Sequence, residues 1–181
     1  RSSVSAIAAD YYNQTHPNVL LGGGGNGQSP ADAQTAGYTV VTDRAGLLLI
    51  DRNLVYVSGQ FGGGNFPYFY DGYGADYPRL AEMTDIALQI LNNDPDGFFL
   101  MVESANIDHA ATDNILYKTL PEVNELAVAV QVAIAWAAGR TDTLIVVAAD
   151  HETGGLNVAT NNGAGTLPTV TWTVKDHTAR N

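Results

Sequence analysis

The 181-residue chain contains no cysteine, which excludes a disulfide frame and a thiolate metal site. That absence is neutral on compartment. Positive charge is scarce as well: eight Lys and Arg face nineteen Asp and Glu, a formal net charge of -11. Such a balance disfavours nucleic acid and anionic membrane surfaces as partners. An anionic substrate would need positive charge supplied locally, and bound metal ions supply it. No apolar run in the sequence approaches the roughly 18 residues that span a bilayer. The opening Arg1-Ser2-Ser3-Val4 has no charged segment followed by a long apolar core, so no signal peptide is read there.

What is present is a globular composition, 45% hydrophobic and 15% charged, and a length sufficient for one domain with a sizeable core. Helical and extended patterns alternate along it. Residues 3–13 read as a helix with Val4, Ile7, Ala8 and Tyr11 on one face, leading to a short strand at 18–21. After a glycine loop, 38–42 and 54–58 read as strands, with a short apolar segment at 47–50 between them. Residues 60–78, rich in Gly, Tyr and Phe, follow neither period and are expected to form a surface excursion. Leu80, Met83, Ala87, Ile90 and Leu91 then recur at helical spacing until Asn92-Asn93-Asp94-Pro95 stops them. Residues 121–138 read as a second helix, opened by Pro121, with Glu122 and Glu125 favouring its amino end and Gly139-Arg140 closing it. A Gly and Asn loop at 157–168 precedes a last strand at 170–174. Strand, helix and strand in this order predict an α/β fold, a three-layer sandwich whose central, largely parallel sheet is flanked by helices.

Two apolar runs end in groups that bind metals. Residues 98–102 run into Glu103 and, five residues later, Asp108; residues 144–149 run into Asp150-His151. Short continuous apolar runs suit strands buried on both faces, and ligands of open α/β sheets bind just beyond the carboxyl ends of such strands. Carboxylates and an imidazole are thus expected at one crevice edge. Taken singly, each has an ordinary explanation: an acid at a strand end is most often a cap or a solvated group, and His177 alone is a surface histidine. Thr153-Gly154-Gly155 after Asp150-His151 is less easily dismissed, because glycines permit tight turns and close backbone approach. Gly22, Gly24 and Gly27 satisfy a dinucleotide-binding pattern, but residues 26–30 delay the helix that should open directly after it. Asn13-Gln14-Thr15 fits a glycosylation acceptor by pattern only, and His16 has no motif around it.

V-E-S-A-N-I-D-H-A-A at 102–111 and A-A-D-H-E-T-G-G-L at 148–156 resemble the two metal motifs of alkaline phosphatases. Three more stretches agree in order: N-V-L-L-G-G-G-G at 18–25, L-A-E-M-T-D-I-A-L-Q-I-L at 80–91 and W-T-V-K-D-H-T at 172–178. The resemblance covers nearly the whole chain, but only the later half of a typical family member. It implies hydrolysis of phosphate monoesters, in which a serine upstream of these residues attacks phosphorus in line and a phosphoseryl intermediate is then cleaved. It also implies two zinc ions and a magnesium. Asp108 and His177 would serve a first zinc, Asp150 and His151 a second, and Glu103 the magnesium, while His109 would contact phosphate through water. A homodimer in a periplasmic or secreted setting is implied too.

Two departures from the family pattern bear on mechanism. Thr112 stands four residues after Asp108, where the family has a histidine that completes the first zinc's ligands. A neutral hydroxyl is a poor zinc ligand, so the first site is expected to be weakened or empty; on a helix, His109 points about 100 degrees away from Asp108 and is an awkward replacement. The family's Asp-Ser nucleophile motif, an upstream metal-binding aspartate and a phosphate-clamping arginine have no counterpart, and Ser104 is not in that context. The sequence as written, residues 1–181, therefore reads as a partial catalytic domain without the amino-terminal nucleophile half and the last strand, with a complementing amino-terminal fragment or a longer parent supplying the nucleophile. Two rival readings stay open: a catalytically silent metal-binding relative, and a related phosphodiesterase or phosphomutase.

Overall fold

The computed structural model describes residues 3–179, and the leader reading at Arg1 and Ser2 lies outside them. Three short strands form a parallel sheet in the order β1-β3-β2: β1 (Val19–Gly22), β2 (Thr39–Val41) and β3 (Val57–Gln60). Val57 at the start of β3 pairs with Val19 on one side and Thr39 on the other. Successive side chains of a strand point to opposite faces, and the packing divides accordingly. Val19, Leu21 and Val41 meet a buried cluster of Leu47, Ile50, Phe61, Ile86 and Ile90, carried by α3 (Arg44–Leu49) and its end, α4 (Leu80–Leu91) and the residue after β3. Leu20, Val40 and Tyr56 meet Tyr12, Ala33 and Tyr38 on the other face, under α2 (Pro30–Thr35) and the π turn Tyr11–Thr15 that extends α1 (Val4–Asp10). Helices on both faces of a parallel sheet make the expected α/β layering.

Local chemistry fixes the helix starts. Ser29 Oγ accepts the Asp32 amide and Pro30 occupies the first turn of α2. Asp43 Oδ1 accepts the Gly46 amide at 2.7 Å, which turns the apolar segment at 47–50 into the end of a helix. At α4, Glu82 accepts the Arg79 amide at 2.9 Å and holds Arg44 through both carboxylate oxygens. In α1 the widening into a π turn rotates the buried face: Ala8 and Tyr12 face inward, whereas Val4 and Ile7 are exposed.

Residues 60–78 are anchored at both ends. Phe61 and Pro78 are fully buried, Phe66 and Tyr77 pack on the core, and the 3-10 turn Phe69–Asp71 carries the exposed Tyr70. The later helix begins before its proline, as α6 (Leu116–Ala137), with Pro121 inside it. Glu122 and Glu125 are buried rather than solvated at its amino end, because Phe69 donates its amide to Glu122 at 2.6 Å and Arg79 grips Glu125 through Nε at 2.5 Å.

The strands expected at 98–102 and 144–149 do not form among the described residues. Both segments lack regular secondary structure, and Phe99 is 89% exposed, Met101 72%, Leu144 86% and Val146 74%. A strand needs a neighbour for its N–H and C=O groups, and neither segment has a ladder partner here. After them come two antiparallel pairs: β4 (Glu152–Thr153) with β7 (His177–Thr178), and β5 (Asn157–Thr160) with β6 (Thr169–Thr171). The glycine loop is thus shorter than 157–168 and the strand after it starts earlier.

Candidate metal centre

Three segments converge: α5 (Asn106–Thr112), the end of the apolar run at Asp150-His151, and the β4–β7 pair. Register places Thr153 opposite His177 and Glu152 opposite Thr178. The turn after Thr153 depends on two glycines. Gly154 and Gly155 have φ of 87° and 61°, a region costly for other residues. A Cβ on Gly154 would lie 2.5 Å from the Trp172 ring, and one on Gly155 1.8 Å from Thr173 Oγ1. Glu152 closes the turn by accepting the Gly155 and Leu156 amides at 3.3 and 3.2 Å and the Thr178 hydroxyl.

Four of the sequence candidates come together here. Asp108 Oδ1 lies 3.3 Å from His177 Nε2, and Asp150 Oδ2 lies 3.3 Å from His151 Nε2. The two imidazoles stack with centroids 3.6 Å apart, so the pairs are neighbours. Ligand atoms of Asp108, His151 and His177 all fall within 4.8 Å of one another. Two ligands each about 2.0–2.1 Å from a tetrahedral ion are separated by about 3.3–3.4 Å. Each carboxylate and imidazole pair therefore has the spacing of adjacent ligands on one zinc, and the donor set fits that ion.

Burial pushes the Asp108 carboxyl up, but the Thr153 hydroxyl and then the neighbouring His177 and His151 outweigh it, leaving the group below the ordinary carboxylate value. Asp108 is thus held in the form that binds a cation. Thr112 lies four residues on along α5 and its hydroxyl reaches Asp108 Oδ1 only at 3.4 Å. His109 is held by Asn106, whose Oδ1 is 3.2 Å from His109 Nδ1 and whose amide donates to the Phe66 and Pro67 carbonyls. A cleft of about 640 Å³ opens over Asp108, His109, Thr112 and His177, walled by residues 65–68.

Glu103 stands apart. It is exposed, and it lines a larger cleft of about 920 Å³ between β1, α4 and the segment at 98–104. Thr153 is the residue that sequence reasoning missed: its Oγ1 is 2.8 Å from Asp108 Oδ1 and 3.0 Å from His151 Nδ1. The available signal was its place two residues after His151, on the same side of extended backbone.

The family model described as alkaline phosphatase matches residues 28–180. Alkaline phosphatase 3 of Bacillus subtilis (strain 168) is 37% identical over 169 residues, covering 87% of this chain and 36% of that protein. The crystal structure of a cold-active alkaline phosphatase from a psychrophilic Shewanella sp. shares a TM-score of 0.78 at 33% identity, covering 89% of this chain and 40% of that one. A magnesium-bound variant of the alkaline phosphatase from the Antarctic bacterium TAB5, with a TM-score of 0.79 over 97% of this chain and 55% of that one, shares the fold at 24% identity. The chain thus spans well under half the length of the sequence relative it matches. Because the family match encloses α5, the β4–β7 pair and all four converging side chains, the chain belongs to the alkaline phosphatase family.

Proposed function

We propose that this chain supplies the carboxyl-side metal ligands of a phosphate monoester hydrolase. The observation that carries the reading is the pair of 3.3 Å contacts, Asp108 to His177 and Asp150 to His151, joined by stacked rings. Asp108 and His177 would hold one zinc, Asp150 and His151 a second, and Glu103 a magnesium, in keeping with a metal-dependent family. When bound, zinc acts as a Lewis acid toward the phosphoryl oxygens and stabilises the charge that develops on them. The chain's own residues do the positioning. Asp108 stays ionised, the β4–β7 register sets His177 beside it, and the glycine turn brings Thr153 under both. His109, on the cleft wall and oriented by Asn106, would meet the phosphate through water. Lys118, beside Tyr68 on the cleft wall, is committed to Asp71 at 2.6 Å.

The serine nucleophile and the remaining ligands would come from another part of a longer protein, which suits a chain matching 36% of its relative's length. A homodimer acting outside the cytoplasm goes with the family. No helix among the described residues is long and apolar enough to cross a membrane. Thr112 in place of the histidine supports a second reading, a metal-binding relative that is catalytically silent. Assay of the intact protein on p-nitrophenyl phosphate and bis(p-nitrophenyl) phosphate, with and without zinc, separates the readings. Zinc-dependent monoester hydrolysis is the expected result. Preference for the diester overturns it in favour of a phosphodiesterase, and turnover of neither favours the silent relative.

A further inference from the structure

We infer that Thr153 is a positioning residue that fixes the tautomer of His151 and ties the two ligand pairs together; the inference rests on the metal reading above. A hydroxyl has one proton to donate, and an ionised carboxylate only accepts. With Thr153 Oγ1 at 2.8 Å from Asp108 Oδ1, that proton goes to Asp108. The same oxygen lies 3.0 Å from His151 Nδ1, and with its proton engaged it can only accept there. His151 therefore carries its imidazole proton on Nδ1 and a lone pair on Nε2. Nε2 is the atom 3.3 Å from Asp150 Oδ2. In this neutral form two acceptors face each other at that distance and repel unless a second proton or a metal cation lies between them, and a metal cation gives the arrangement of two ligands on one ion.

Without the hydroxyl, the opposite tautomer gains its own hydrogen bond. Nε2–H would donate to Asp150 Oδ2 at 3.3 Å, and the lone pair would sit on Nδ1, away from Asp150. The coupling also crosses the centre, since Thr153 touches Asp108 of one pair and His151 of the other. Its backbone is set independently of any ion: Thr153 pairs with His177 in β7, and the Gly154 amide donates to the Asp176 carbonyl at 3.0 Å.

The test uses Thr153→Val, which keeps the branched shape and loses the hydroxyl, and Thr153→Ser, which keeps the hydroxyl and loses a methyl. In the intact metal-free protein, nitrogen-15 shifts of labelled histidine should report Nδ1–H at His151 for wild type and Thr153→Ser, and Nε2–H for Thr153→Val. Chelator competition should show zinc affinity falling about 10 to 100-fold in Thr153→Val and retained in Thr153→Ser. An Nε2–H His151 in the wild type, wild-type zinc affinity in Thr153→Val, or equal losses in both variants would each overturn the role. A wild-type protein that shows the Nδ1–H tautomer but binds no zinc would sink the metal reading and leave the tautomer assignment standing.

Discussion

In the proposed metal site, Thr112 is the side chain that sets how well the first ion would be held. Its hydroxyl sits at the edge of hydrogen-bonding reach of Asp108, on the helix face where a longer imidazole would extend past that carboxylate toward His177. Thr112→His should raise zinc affinity at the Asp108 and His177 pair by about 10-fold or more, reasoning from the 10 to 100-fold cost of losing even an indirect partner. Chelator competition on the intact protein checks it, and unchanged affinity would count against the role given to that pair. That Asp108, Asp150, His151 and His177 come together was legible, because Asp-His after an apolar run and before Thr-Gly-Gly has few other uses. Thr153 was not legible, because its role exists only once α5 and β4, 45 residues apart at Asp108 and Thr153, are brought into contact.

Among the elements, α6 carries a charge problem that its sequence pattern concealed. Pro121 reads as a helix start, so Glu122 and Glu125 read as first-turn acids, yet Thr119 and Lys118 already belong to the helix through the Ile115 carbonyl. Once buried, Glu125 is answered by Arg79, while Glu122 has only the Phe69 amide and the Asn106 side chain. Burial pushes the Glu122 carboxyl up, the Phe69 amide lowers it in part, and Glu125 raises it again, leaving it above the ordinary value. A raised carboxyl pKa means that the folded chain holds the proton to higher pH than the unfolded chain, so ionised Glu122 costs stability at neutral pH. That cost shrinks as pH falls through the raised value and is gone only below the ordinary value of the unfolded chain. Glu122→Gln, which keeps an oxygen for the Phe69 amide, should therefore melt higher than wild type at neutral pH, with the difference shrinking on acidification. A gap that is constant or that widens at low pH would refute the burial argument.

The α4 boundaries follow from periodicity and the Asn92-Asn93 stop, because both are local in sequence. The segments 98–102 and 144–149 do not follow, because an apolar run becomes a strand only when neighbours pair with it. If the longer protein supplies those neighbours, amides in both segments should exchange slowly in it and rapidly in the 181-residue chain alone, as hydrogen exchange with mass spectrometry can read. Fast exchange in both would mean that the two runs are not sheet strands.

For the molecule as a whole, the α/β layering was readable from alternation alone, and the sheet bears it out with helices on both faces. The position of Glu103 was not readable, since it depends on how the 98–104 segment is seated, and it lines the larger cleft, not the one over Asp108 and His177. With a net charge of -11, holding the phosphate ester of the proposed reaction would call for bound cations. Everything functional therefore rests on the two carboxylate and imidazole pairs acting as two separate ion sites. Metal analysis of the intact protein after equilibration with excess zinc, beside His177→Ala and His151→Ala, tests this most directly. At excess zinc, wild type should hold two zinc ions per chain, the site weakened by Thr112 filling second, and each variant one fewer; one or no bound zinc in the wild type, or full occupancy in both variants, would contradict it.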